Sequence, residues 1–240
     1  VELIYGKSDS ELDQLYSTAN VFLAWHEKMD KTFLYKLKKC ELIVRYGVGF
    51  DNIDLEEATK KNILICNTPD YGVEEVADSA CALILNAVRQ INYYDSRLRK
   101  GQQEWTIPSN LNIKRANNHK IGILGFGRIG AAVAFRLLNF GFQVGFYDPY
   151  INVGIEKIYG IRRFASLDEM AVWASILTLH APQTKETTGI INSKVLDLMS
   201  TNSILINTAR GSLIDSEDTI LEALKSNKLA FFASDVFFDE

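Results

Sequence analysis

The segment from Lys120 to Tyr150, KIGILGFGRIGAAVAFRLLNFGFQVGFYDPY, constrains this chain more than any other stretch. Ile121 to Leu124 read as a buried strand, and Gly125, Gly127 and Gly130 follow at G-x-G-x-x-G spacing. Ile129, Val133, Leu137 and Phe140 then mark one face of a helix that ends near Gly141, and a second apolar run ends at Asp148. Each glycine has a physical reason: Gly125 for a tight turn, Gly127 for close backbone approach to a pyrophosphate, Gly130 for packing of helix on strand. Phe126 and Ile129 lie inside the turn, and the helix N-terminus offers unpaired N–H groups and a positive dipole end to an anion. Arg128 reads either as a phosphate contact or as a solvated helix-start residue. Asp148 stands where an acid accepts hydrogen bonds from ribose hydroxyls. The same carboxylate repels a 2′-phosphate, so the expected cofactor is NAD rather than NADP.

The rest of the chain agrees with such a unit. Short apolar runs alternate with amphipathic segments: strands at Leu3–Tyr5, Val21–Trp25, Leu42–Tyr46 and Ile63–Cys66, helices at Ser10–Ala19, Lys31–Cys40 and Leu55–Lys61. Asp30 and Asp54 precede helical patterns, where a carboxylate caps free N–H groups. This alternation predicts an α/β fold with parallel sheets covered on both faces. With 240 residues, 47% hydrophobic, the chain has the material for two modest lobes. A net charge of -4 gives no field that would attract nucleic acid or an anionic membrane, so neither is expected as a partner. Cys40, Cys66 and Cys81 sit in apolar runs without C-x-x-C spacing, which reads as reduced core thiols in a cytoplasmic protein. No metal-ligand cluster is visible.

Val73 to about Arg99 reads as one long helix, with Val76, Ala80, Leu83, Ala87 and Ile91 on its apolar face. The polar stretch from Lys100 to Lys120 resembles a linker. The expected boundary lies between Arg99 and Lys120, giving a first lobe at 1–99 and a dinucleotide-binding lobe at 100–240.

Later strands end in polar residues, as ligand sites at the carboxyl edge of an open α/β sheet require. Ile176–Leu179 lead to His180, Ser203–Ile206 to Asn207, Thr208, Ala209 and Arg210, and Ala230–Ser234 to Asp235. A guanidinium among small neighbours at a strand end suits bidentate capture of a carboxylate, which makes Arg210 the candidate anion clamp; an ion pair with Asp215 is the other reading. Of the three histidines, His26 and His119 read as solvated, and His180 sits at the sheet edge.

GFGRIG with FYDP, TLHAPQT, INTARGSLID and ASDVFFDE together resemble the D-isomer-specific 2-hydroxyacid dehydrogenase family, as do YGVGFDNIDLEEATKKNILICNTP and VEEVAD in the first lobe. Within it the chain looks close to the C-terminal-binding-protein branch and to glyoxylate/hydroxypyruvate reductases. The resemblance implies two Rossmann-like lobes, one flavodoxin-like and substrate-binding, the other NAD-binding. It implies hydride exchange between NAD and a small 2-oxo or 2-hydroxy acid in a homodimer. Arg210 would hold and polarise the 2-oxo acid, and Glu240 would pair with a catalytic histidine. That histidine lies beyond this sequence in the family's order, so the chain is expected to be cut at both ends. Asp235 would contact the nicotinamide end, Thr208 and Ala209 would line the cofactor, and His180, Ala181, Pro182 and Thr187 would wall its adenine side. Val48 and Gly49 would bind the substrate carboxylate through backbone N–H groups, with Arg45 near it. Leu83, Leu85 and Val88 would support the dimer. The alternative is an NAD(H)-sensing, corepressor-like interaction protein of the same fold. Another NAD(P) enzyme on that scaffold is a further reading.

Overall fold

Side-chain caps at Asp30 and Asp54 start two of the helices that the sequence predicts: Asp30 accepts from the Phe33 N–H and Asp54 from the Glu57 N–H, both at 3.0 Å. The computed structural model describes residues 7–101 and 114–238. The strand expected at Leu3–Tyr5, most of the expected linker, and Glu240 lie outside the described residues.

The chain divides into two units, Val1–Gly72 and Val73–Glu240. In the first, helices α1 (Asp9–Thr18), α2 (Lys31–Lys36) and α3 (Leu55–Lys60) alternate with strands β1 (Val21–Ala24), β2 (Leu42–Arg45) and β3 (Leu64–Asn67). The strands are parallel in the order β1-β2-β3, with Ala24, Arg45 and Asn67 in register at their ends. Phe22, Ala24 and Ile43 pack with Tyr16, Leu34 and Ala58 of the helices. Only one face of this sheet is covered among the described residues. Val21, Leu23 and Leu64 on the other face are exposed, where a parallel sheet covered on both sides was expected. Cys66 shares that face and is exposed, which corrects its reading as a core thiol; Cys40 and Cys81 are buried.

The second unit opens with α4 (Val73–Arg89) and α5 (Ile91–Arg99). The single long helix expected there is broken at Gln90, whose φ of +57° leaves the right-handed helical region. The expected boundary near residue 100 gives way to one at Gly72 because α4 turns Ala77, Ala80, Cys81, Ile84 and Val88 into the core of the second unit. Ile91, by contrast, is exposed.

After α5 come β4 (Lys120–Leu124), α6 (Arg128–Asn139), β5 (Gln143–Tyr147), α7 (Ile155–Tyr159), β6 (Arg162–Arg163), α8 (Leu167–Trp173) and β7 (Ile176–Leu179). The unit is completed by α9 (Ser193–Leu198), β8 (Ser203–Asn207), α10 (Glu217–Lys225) and β9 (Leu229–Ser234). Every strand pair is parallel and the order is β6-β5-β4-β7-β8-β9. Alternate residues feed opposite faces. Ile121, Ile123, Ile176 and Ile206 join α4 and α6, whereas Leu177, Leu179 and Leu205 join α8, α9 and α10. The chain leaves β4 toward β5 on one side, and β7 returns on its other side. That reversal makes the carboxyl ends of β4 and β7 the topological switch point, the place where ligands of such sheets bind.

His119, expected to be solvated, is buried at 8% exposure beside Phe142, and burial lowers its pKa. It sits at the entrance to β4 rather than in open linker. No helix among the described residues is long and apolar enough to cross a membrane.

Candidate functional site

The carboxyl end of β4 runs straight into the glycine turn. Gly125 takes φ +87°, and a Cβ there would lie 2.7 Å from the Ala181 nitrogen. A Cβ on Gly130 would lie 2.2 Å from the Gly125 carbonyl oxygen. Gly127 differs: a Cβ there meets nothing within 4 Å, so the turn faces open space. Gly125 and Gly130 thus stand where a side chain would strike backbone, while Gly127 borders open space. Phe126 is buried and stacks on Phe146 at 4.1 Å, so it offers the site its backbone and not its ring.

Gly127 is the N-cap of α6 and has no side chain to satisfy the first-turn N–H groups. Arg128 at that terminus is exposed, while Ile129 packs partly against the core. The arrangement leaves backbone donors and the positive helix end facing the same open space.

Asp148, at the end of β5, is tied into this turn. Its Oδ2 accepts the Phe126 N–H and its Oδ1 the Tyr150 N–H, each at 2.8 Å. Both oxygens keep a further lone pair, and the carboxylate is held in one orientation. Arg163, which the sequence reading missed, donates through Nη2 to the carbonyls of Asp148 and Ile151 at 3.1 and 2.8 Å. It comes from the two-residue strand β6, too short to leave a periodic signal. Tyr150 is also hydrogen-bonded to Glu186, which joins the loops after β5 and β7.

Beyond β7, His180 Nε2 lies 2.9 Å from the Thr178 hydroxyl. Its Nδ1 is buried without a partner, and burial pushes its pKa down to about 3. A neutral imidazole of that kind is no proton donor at pH 7. Ala181 is buried against Gly125, and Pro182 is exposed. Thr187 braces the same loop, donating to Pro182 O at 2.6 Å and accepting from the Thr184 N–H at 2.8 Å.

Beyond β8, buried Asn207 shapes the next loop: its amide donates to Arg210 O at 2.8 Å and its Oδ1 accepts the Ala209 N–H at 3.1 Å. Thr208 Oγ1 is buried without a partner. Arg210 is half-buried, with Nη1 donating to Ala209 O at 2.7 Å. Asp235 is exposed and its N–H reaches Asn207 O at 3.3 Å. The structure thus gathers the ends of β4, β5, β7, β8 and β9 along one sheet edge. The orphaned His180 Nδ1 and Thr208 Oγ1, together with the open glycine turn, fit a polar cofactor lying there. NAD is such a group.

The first unit holds the other candidates. Arg45 ends β2 and donates through Nη1 to Tyr46 O at 3.2 Å, while its Nε is buried without a partner. Val48 and Gly49 are half-buried, and among the described residues neither N–H is donated to a carbonyl. These unclaimed donors suit an anion. His26 is exposed beside Trp25.

Residues 81–240 match the family model of the D-isomer specific 2-hydroxyacid dehydrogenase, NAD binding domain. The chain is 36% identical over its whole length to a D-3-phosphoglycerate dehydrogenase of Methanocaldococcus jannaschii, covering 45% of that protein. It is also 36% identical over 89% of its length to a glyoxylate reductase of Thermococcus litoralis, covering 65% of it. The chain therefore spans about half to two thirds of these curated relatives. Among solved structures, the D-lactate dehydrogenase from Aquifex aeolicus, complexed with NAD and lactic acid, superposes with a TM-score of 0.88. It shares 33% identity, with 95% of this chain and 67% of that one covered.

Half-buried His180, with its Nδ1 sealed from solvent, makes stability depend on pH. The unfolded chain takes up a proton near pH 6.5, which the folded chain refuses until about pH 3. Stability from this group is complete above pH 6.5 and falls below it, by about 1.4 kcal/mol at pH 5.5. Denaturant unfolding at pH 7.5 and 5.5 checks this: His180→Asn should shrink the acid loss by that amount, and equal losses in both proteins would contradict a neutral ring.

Proposed function

This chain belongs to the D-isomer-specific 2-hydroxyacid dehydrogenase family, and from that membership we propose that it serves the NAD-dependent interconversion of a small 2-oxo acid and its D-2-hydroxy acid. The observation that carries the reading is the open glycine turn beside an oriented Asp148 carboxylate. NAD, when bound, supplies or accepts the hydride. The chain's own groups bind and orient. Backbone N–H groups of Gly127, Arg128 and Ile129 hold the pyrophosphate, and Gly125 and Gly130 keep the turn against its strand. Asp148 receives the ribose hydroxyls. His180, Ala181, Pro182 and Thr187 wall the adenine side, and Thr208, Ala209 and Asp235 line the remainder.

Arg210 holds the 2-oxo acid and stabilises negative charge growing on its oxygen. In the first unit, the Val48 and Gly49 N–H groups and Arg45 take the substrate carboxylate. Glu240 is assigned to pair with a histidine acid, following the family pattern. The dehydrogenase and reductase activities of the relatives favour catalysis over the NAD(H)-sensing alternative. The setting proposed is cytoplasmic.

A homodimer completes the proposal. Leu83 and Leu85 on α4 are only half-buried and support it, whereas Val88, expected to contribute, is buried in the chain's own core. Sedimentation should give twice the 27.1 kDa chain mass; a monomer at micromolar concentration contradicts the dimer.

Asp148→Asn should weaken NADH binding roughly tenfold and narrow the preference over NADPH, since a charged acceptor facing a hydroxyl is worth about 1.5–3 kcal/mol. Titration of both cofactors checks this, and an unchanged ratio would sink the ribose assignment. Arg210→Lys should lower kcat/KM for glyoxylate on the order of a hundredfold while NADH affinity holds, because an ammonium lacks the planar fork. Wild-type turnover in that variant would remove Arg210 from the chemistry.

A further inference from the structure

The 47–49 turn is held from the end of β3. In a trans peptide the C=O and the N–H of the next residue point to opposite sides of one plane. The Thr68 N–H donates to Gly47 O at 3.1 Å, and the Asn67 side-chain amide donates through Nδ2 to Val48 O at 2.8 Å. Those two carbonyls belong to the peptide units whose N–H groups are those of Val48 and Gly49. Drawing both carbonyls toward β3 therefore turns both N–H groups the other way, as neighbours. Two successive N–H groups aimed alike make an anion-binding concavity. An unrestrained extended chain alternates them instead.

The surroundings keep this geometry. Asn67 closes β3 directly in register with Arg45 of β2, and the Thr68 hydroxyl reaches Arg45 O at 3.4 Å. Gly47 takes φ +154°, and a Cβ there would fall 1.2 Å from Arg45 Nη1, so the guanidinium lies over a residue that has no side chain. The buried, unpartnered Arg45 Nε is thus brought to the same turn.

We propose that Asn67 is a positioning residue for the carboxylate of the substrate: its amide holds the Val48 carbonyl and so aims the Gly49 N–H at the anion. The proposal rests on the 2-hydroxyacid dehydrogenase reading above. Asparagine suits the task where aspartate does not, because an ionised carboxylate accepts hydrogen bonds only and would repel the Val48 oxygen.

The test titrates the chain, in the presence of NADH, with oxamate, a non-reacting analogue of a 2-oxo acid. Asn67→Asp and Asn67→Leu, close to asparagine in shape and without a donor, should weaken oxamate about tenfold, as loss of a bond that orients a charged ligand would. NADH affinity and the thermal midpoint should stay at the parent values. Asn67→His carries a ring N–H on Cγ, where the amide nitrogen stood, and should restore most of the oxamate affinity. If the donor-free variants bind oxamate as the parent does, or lose NADH affinity and thermal stability in step with it, Asn67 has no positioning role. If the parent binds NADH but no oxamate, the proposed function itself fails.

Discussion

The contact of Gly130 with the Gly125 carbonyl decides the rest of the second unit. A Cβ on Gly130 would stand 2.2 Å from that oxygen, and one on Gly125 would strike the Ala181 backbone. Helix α6 can begin directly above β4 only because neither side chain exists. From that junction follow the open space over Gly127, the uncapped first turn, and the reach of Phe126 N–H to Asp148. The site is the consequence of two backbones packed as closely as atoms allow.

Electrostatics then work at short range. A chain with a net charge of -4 does not draw anions by its overall field. On the proposed reading it would rely on oriented N–H groups: the first turn of α6 in one unit, and the turn held by Asn67 and Thr68 in the other. Both devices use backbone dipoles fixed before a ligand arrives, so little reorganisation opposes binding. His180 is the complementary case, a polar ring whose pKa burial pushes down to about 3, so that it stays neutral at pH 7.

Much of the fold was legible because its determinants are local. Glycine spacing, the caps at Asp30 and Asp54, and the strand–helix alternation each announce themselves within a few residues. What escaped depends on tertiary packing. The α4–α5 break at Gln90 carries no proline or glycine, and periodicity runs through it. The burial of His119 against Phe142 and the assignment of α4 to the second unit follow from which faces meet. The exposure of Cys66 follows from a sheet face that α1, α2 and α3 leave uncovered. In the candidate site, the glycines, Asp148 and Arg210 stand out in the sequence by type and position. Arg163 and Asn67 do not, since their roles are hydrogen bonds to carbonyls that only the folded chain brings near.

The central claim is that backbone N–H groups at the start of α6 hold the dinucleotide. Amide chemical shifts of the isotopically labelled chain, followed during titration with NAD, test it most directly. The account predicts saturable shifts at Gly127, Arg128 and Ile129, with smaller changes at the amides of Phe126 and Tyr150 that bond to Asp148. Saturation by NAD that leaves those amides unmoved would contradict it.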